Sequence, residues 1–104
     1  MAKYRNRLQI IAEILEIVKE GARKTHIMYQ CNLSYKLLKR YLRDVLRFEL
    51  VCTEGDCNGF IITEKGKQFL ERFENYVERS QRISQQVEKV NCEKEILERM
   101  VSAK

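Results

Sequence analysis

The sequence predicts a mainly α-helical protein with one small β-hairpin and a long C-terminal helix. Through most of the 104 residues, apolar side chains recur at steps of three and four, which places them on one face of a helix. Two short runs, 50–53 and 60–63, instead have an extended pattern and flank a turn-rich loop. From residue 63 the helical spacing continues with little interruption to the end of the chain.

The first predicted helix has an apolar stripe and ends at Gly21, which acts as a left-handed cap. Lys3, Arg5 and Arg7 precede it. These three cations are either an arm that touches phosphates or a frayed terminus, and the sequence favours neither alternative. The stripe consists of Leu8, Ile10, Ile11, Ile14, Leu15, Ile17 and Val18.

A short second helix is predicted after the basic link Arg23–Lys24, with Thr25 as its N-cap. Asn32 and Leu33 then break the pattern. His26 near the start of this helix is expected at the surface or half-buried, because no nucleophile or carboxylate accompanies it at a spacing that indicates a ligand or a catalyst.

The next helix, 34–47, has Ser34 as its predicted N-cap, and its two faces differ sharply. The apolar face consists of Leu38, Tyr41, Leu42, Val45 and Leu46. The opposite face, called the basic face below, consists of Lys36, Lys39, Arg40, Arg43 and Arg47. Asp44 is the only acid beside it, whereas ordinary solvated helices mix the two signs. This bias predicts a helix that enters nucleic acid; a face that is merely solvated is the alternative.

Two helices separated by a tight turn, with the second one basic, are the outline of a helix-turn-helix. The hairpin that follows adds a wing. Its loop has about six residues, and Asn58-Gly59 is predicted to supply the positive φ angles. The wing tip holds Glu54 and Asp56 and no Lys or Arg, so we expect phosphates to repel it.

The last helix, with Thr63 as its predicted N-cap, shows steps of four and three typical of a coiled-coil seam. The seam consists of Phe69, Phe73, Tyr76, Ser80, Ile83, Val87, Val90, Lys94, Leu97 and Val101, of which Phe73 and all later members are the predicted dimerisation residues. A parallel pair would bring Lys94 against its own copy, so we predict antiparallel helices. The alternative is an isolated helix that folds back on its own domain.

Positive charge is concentrated in the first part of the chain, where residues 1–63 hold 11 Lys and Arg against 7 acids. Residues 64–104 hold nine against eight, and the whole chain has a net charge of +5. This distribution fits a polyanionic partner for the first part and a structural role for the rest. The compact core is small, which also favours a dimer. No membrane-spanning run or signal peptide is evident, so a cytoplasmic protein is expected.

Four cysteines lack the spacing of a zinc site, and no metal or other cofactor is expected. Cys52 and Cys57 allow a disulfide across the hairpin, but free thiols are the default for these two residues and for Cys31 and Cys92. An enzyme is not expected, because there is one histidine and no glycine-rich phosphate loop, and the core is too small to enclose a small-molecule substrate.

Three segments within 21–73 carry a resemblance to a known family: KTHIMYQCNLSYKLLKRYL, LRFELV and GFIITEKGKQFLERF. They resemble small archaeal winged-helix DNA-binding proteins of the basic, chromatin-associated or transcription-regulator type. LSY before the basic helix and T-x-K-G-x-x-F-L after the wing are shared with such proteins. The resemblance implies a winged helix, a homodimer joined by an antiparallel coiled coil, and a regulatory or nucleoid role. Phe48-Glu49 departs from the pattern, because related domains often have a glycine there.

Taken together, the sequence predicts a DNA-binding domain at 1–66 and a dimerisation helix at 67–104. The predicted partners are double-stranded DNA and a second copy of the chain. The alternative function is a winged-helix protein-interaction module of a larger transcription or replication complex. The predicted DNA-binding residues are Arg23, Lys24, Thr25, Ser34, Tyr35, Lys36, Lys39, Arg40, Arg43 and Arg47.

Overall fold

The computed structural model describes residues 5–55 and 59–102. It confirms the mainly helical fold with a small sheet and a long last helix. The elements are α1 (Arg7–Ile17), a 3-10 turn (Val18–Glu20), β1 (Ala22–Arg23), α2 (Lys24–Cys31), α3 (Tyr35–Arg47), β2 (Val51–Glu54), β3 (Gly59–Ile62) and α4 (Glu64–Met100).

Helix α1 begins with a capping box and packs its apolar stripe into the core. The Asn6 side chain accepts from the backbone N–H of Gln9, and the Gln9 side chain accepts from the N–H of Asn6. Leu8, a member of the predicted stripe, is 44% exposed, whereas Ala12, which is not a member, is buried. Gly21 follows the 3-10 turn with φ of 92° and ψ of 138°, so it ends the helical segment with a positive φ, but the predicted left-handed helical cap was wrong.

The sheet has three antiparallel strands in the order β1-β3-β2, one strand more than the predicted hairpin. The extra strand is the segment Ala22–Arg23, which pairs with Phe60 and Gly59; of these two residues, Arg23 was predicted to belong to a basic link. Helix α2 then starts at Lys24 with Arg23 as its N-cap and without a side-chain capping bond. The prediction that Thr25 caps α2 was therefore wrong, because Thr25 lies inside the first turn.

The hydrophobic core draws on every helix and on the sheet. Its largest fully buried side chains are Ile14, Leu15, Val18, Ile27, Cys31, Leu38, Val45 and Val51. Leu70 of α4 is also buried, and Phe69 and Phe73 are half-buried against this cluster, with their rings stacked 6.2 Å apart. Contacts accordingly divide the chain into Met1–Phe73 and Glu74–Lys104, whereas the predicted boundary lies between residues 66 and 67.

The start of α4 is held against the hairpin by Thr63 and Gly66. The Thr63 hydroxyl accepts from the N–H of Gly66 at 3.1 Å and donates to the carbonyl of Glu49 at 2.6 Å, which confirms Thr63 as the cap. A Cβ on Gly66 would lie 2.3 Å from the carbonyl oxygen of Leu50 and 2.6 Å from Cγ1 of Ile62. A glycine is therefore required here for close approach.

Helix α3 ends in a Schellman arrangement that normally uses glycine. The N–H of Glu49 donates to Leu46 and the N–H of Leu50 donates to Val45, at 3.1 and 2.9 Å. Glu49 adopts φ of 61°, so a glutamate occupies the left-handed position at which related domains often have glycine.

The hairpin pairs Val51 with Ile62 and Glu54 with Gly59. The predicted acidic wing tip lies outside the described residues, since Asp56, Asn58 and the Glu54 side chain are not among them. The positive φ found in the described part of the loop is that of Gly55, at 48°.

Candidate nucleic-acid interface

The turn between α2 and α3 fixes where the basic face begins. Asn32 ends α2 in the left-handed conformation, with φ of 52°. Ser34 then caps α3, as predicted: its hydroxyl accepts from the N–H of Leu37 at 3.2 Å. Leu33 between them is buried and anchors the turn in the core. The orientation of α3 is therefore set by the short turn Asn32–Ser34, which is held by hydrogen bonds and by the buried Leu33.

Arg5 supports the same corner from the other side. Its guanidinium donates to the carbonyls of Cys31 and Asn32, at 2.8 and 3.4 Å, and forms an ion pair with Glu13 of α1. Neither the phosphate-binding arm nor the frayed terminus describes Arg5, because its charge is engaged within the molecule. Lys3, the first member of the predicted arm, lies outside the described residues.

The basic face of α3 is exposed along its whole length. Leu38, Leu42 and Val45 turn into the core on the opposite side of the helix, which confirms the predicted orientation. At the edge of the apolar face, Tyr41 is half-buried and Leu46 is 37% exposed. All five cations of the basic face are exposed.

None of these five cations belongs to a salt bridge within the described residues. The ion pairs found there join Arg5 to Glu13, Lys19 to Glu16, Lys67 to Glu64 and Arg82 to Glu78. The positive charge on the basic face is thus left to solvent and counterions. Such a stripe attracts a polyanion, and the counterions released on binding gain entropy.

At the start of α3, the aromatic ring of Tyr35 makes cation–π contacts with two lysines. Tyr35 is 56% exposed, and the ammonium groups of Lys24 and Lys39 lie 5.4 and 6.0 Å from its ring centroid. The structure thus brings together two predicted contacts, Lys24 and Tyr35, that lie on different helices. Arg23 and Thr25, which flank Lys24 in the sequence, are also exposed.

At the end of α3, the ring of Phe48 makes cation–π contacts with two arginines. The sequence did not predict this arrangement. The guanidinium groups of Arg47 and Arg7 lie 5.3 and 5.9 Å from the ring centroid of Phe48. Lys65 of α4 donates to the Phe48 carbonyl at 2.8 Å. Only the position of Phe48 directly after a cationic helix hinted at this arrangement, since Arg7 and Lys65 are distant in the sequence.

The seam of α4 is exposed in the single chain. Phe73 is half-buried, whereas Tyr76 is 55% exposed and Leu97 61%. Val101, which directly follows the last residue of α4, is 84% exposed. Ser80 and Lys94, the polar members, are exposed as well. The remaining apolar members, at the centre of the seam, are Ile83, Val87 and Val90, with exposed fractions of 65, 52 and 65%. An exposed apolar row of this length is typical of a surface that pairs with another helix.

Three described cysteines are free thiols, and they differ in environment. Burial raises the pKa of the Cys31 thiol from 9.0 to about 11, with a smaller contribution from the nearby Glu13 carboxylate. Cys52 and Cys92 are exposed, and Cys57 lies outside the described residues. Among 5–55 and 59–102, no group of three or more His, Cys, Asp or Glu side chains is placed to hold a metal ion. His26 is exposed.

No helix in the described part of the chain has the length and hydropathy needed to cross a membrane.

The fold and the basic face define a winged helix-turn-helix protein, and the chain belongs to the winged helix-turn-helix family, whose model matches residues 4–81. Two uncharacterized proteins of Methanocaldococcus jannaschii are similar to it in sequence. One is 38% identical over 72 residues, which are 67% of this chain and 33% of that protein. The other is 34% identical over 65 residues, which are 62% of this chain and 65% of that protein. The chain therefore spans less than two thirds of the length of these curated relatives.

Two solved structures have a similar fold. Sso10a-2, a DNA-binding protein from Sulfolobus solfataricus, superposes with a TM-score of 0.77 at 19% identity, covering 96% of this chain and 100% of that one. ZitR from Lactococcus lactis superposes with a TM-score of 0.56 at 16% identity, covering 97% of this chain and 74% of that one. At these identities the likeness concerns the fold alone.

Proposed function

We propose that this protein is a dimeric double-stranded DNA-binding protein, acting as a transcriptional regulator or as a nucleoid or architectural protein. The observation that carries this proposal is the basic face: five exposed cations on one side of α3, none of them in a salt bridge within the described residues. The similarity of fold to Sso10a-2, which is a DNA-binding protein, supports it. In this role the protein acts without catalysis and associates with the nucleoid.

In the proposed complex, α3 lies in the major groove. Arg40 and Arg43 are the better candidates for reading guanine, because a guanidinium can donate to O6 and N7 together. Lys36 and Lys39 lie beside them, as point charges for phosphates or base edges. The contacts proposed for the groove edges and the phosphates are Arg23, Lys24, Thr25, Tyr35 and Arg47.

The proposed dimer pairs the α4 seams of two copies in antiparallel orientation. Under this pairing Lys94 faces Tyr76 of the second copy, and Arg79 lies beside Glu93. A parallel pair would place the two Lys94 ammonium groups together at a buried position, which is costly. The exposed seam supports pairing, because its exposed apolar side chains from Ile83 to Val101 leave a large surface in water.

The DNA-binding proposal is tested by removing the charge of the basic face. Lys36, Lys39, Arg40 and Arg43 are all replaced by alanine, and binding to a random-sequence duplex is measured by fluorescence anisotropy over a series of salt concentrations. Each phosphate contact contributes about 0.9 to the slope of log affinity against log salt. The slope should therefore fall by up to about 3.6, with loss of most of the affinity at moderate salt.

A matched control removes the same net charge elsewhere. The control variant replaces Lys19, Lys67, Arg82 and Lys89 with alanine; the first three of these already form ion pairs with neighbouring acids. It should keep the wild-type slope. If the two variants have the same slope, α3 is not the binding surface. If the wild-type protein shows no salt-dependent binding at all, the alternative function, a protein-interaction module, is favoured over DNA binding.

A further inference from the structure

We propose that the C-terminal end of α3 carries a second contact for the phosphodiester backbone of duplex DNA. It is formed by the Phe48 cluster, which consists of Arg7, Arg47, Phe48 and Lys65. This inference rests on the proposed function and deepens it: Arg7 comes from α1 and Lys65 from α4, so neither belongs to the basic face.

The Phe48 cluster is held together by contacts from three helices. The ring is 39% exposed, and the central carbons of two guanidinium groups lie 5.3 Å (Arg47) and 5.9 Å (Arg7) from its centroid. Lys65 donates to the backbone carbonyl of the same residue at 2.8 Å. The cation–π contacts favour positions of the two long side chains beside the ring, so less conformational entropy is lost when they bind an anion.

The charge of this cluster is unbalanced. Arg7, Arg47 and Lys65 are exposed, and none of them takes part in a salt bridge within the described residues, although Asp44 and Glu49 are close in the sequence. Like charges around one ring repel each other, and an anion placed against them offsets that repulsion. A phosphodiester suits this site, because a guanidinium donates two parallel N–H bonds to phosphate oxygens.

The length of α3 allows the Phe48 cluster to reach the DNA backbone at one edge of the major groove. Thirteen residues of α3 at 1.5 Å each give a length of about 20 Å, while the major groove is about 12 Å wide. A helix lying across the groove therefore brings both of its ends to the flanking backbones. The first end presents Lys24 and Lys39 at Tyr35, and the last end presents Arg7 and Arg47 at Phe48.

Arg7→Gln tests this inference, because Arg7 is exposed and distant in the sequence from α3. The slope of log affinity against log salt for a random-sequence duplex should fall by about 0.9, the contribution of one phosphate contact. Arg7→Lys keeps the charge and should restore the wild-type slope. Lys19→Gln is the matched control: it makes the same change in net charge close in sequence to α1, at a residue paired with Glu16 at 3.1 Å, and should leave the slope unchanged.

An Arg7→Gln slope equal to that of the wild type overturns the inference, and so does an Arg7→Gln slope equal to that of Lys19→Gln. In both cases the proposed function stands, provided that the wild-type protein binds with a steep salt dependence. A wild-type protein without salt-dependent binding overturns the proposed function and this inference together. A circular-dichroism melt of each variant verifies that the slopes compare folded proteins.

Discussion

Ile83→Ala gives a quantitative test of the proposed dimer. Ile83 is 65% exposed in the single chain and lies at the centre of the seam, where an antiparallel partner would bury it beside Val87. The substitution removes three carbons, each worth about 0.8 kcal/mol when buried, and about two thirds of that gain comes from dimerisation. Because the layer occurs twice in a symmetric dimer, the expected loss is about 3 kcal/mol, or roughly a hundredfold in the dimer dissociation constant.

Sedimentation equilibrium over a range of protein concentrations measures this dissociation constant. Gln85→Ala is the control, because Gln85 lies outside the seam on the same helix and alanine raises the intrinsic helix propensity there too. It should leave the constant within a few-fold of the wild-type value. Equal constants for the two variants, or a wild-type protein that is monomeric at all concentrations, would refute the pairing.

Three further substitutions test the fold. Gly66→Ala should destabilise the protein by about 2 kcal/mol in urea denaturation, because the new methyl group would lie against the carbonyl of Leu50. Glu49→Gly should stabilise it by about 1 kcal/mol in the same assay, since glycine adopts the left-handed conformation of this position without the backbone strain of a glutamate. The thiol of Cys31 keeps its proton in the folded state between pH 9.0 and about 11, whereas the unfolded state loses it. Its contribution to stability is therefore fully present below pH 9.0 and lost as the pH rises towards 11. Cys31→Ala should show a smaller fall in the free energy of unfolding over that range, and an equal fall in both proteins would contradict this assignment.

The sequence predicts well those features of the winged unit that depend on neighbouring residues. The period of α3 separates Leu38 from Arg40, and Ser34 caps the helix through a bond to the backbone three residues later. The turn at Gly21 and the cap at Thr63 are local in the same way. Each of these features can be read from a short window, because the atoms concerned are close in the chain.

Features that join distant segments could not be predicted in this way. Strand β1 has two residues, too few for any period, and exists because Ala22 pairs with Phe60. Arg5 binds carbonyls at the end of α2, and Arg7 lies over the ring of Phe48. In each case the sequence gives the residue type, while the partner becomes known only when the helices are packed.

The proposed function requires that α3 contacts duplex DNA through its basic face. The most direct measurement is a titration of the ¹⁵N-labelled protein with a random-sequence duplex at low salt, followed by NMR. We expect the amide signals of Tyr35–Arg47 to shift and broaden most, with smaller changes at Lys24 and Arg7. Changes confined to the seam of α4 or to the buried core residues, or no changes at all, would contradict it.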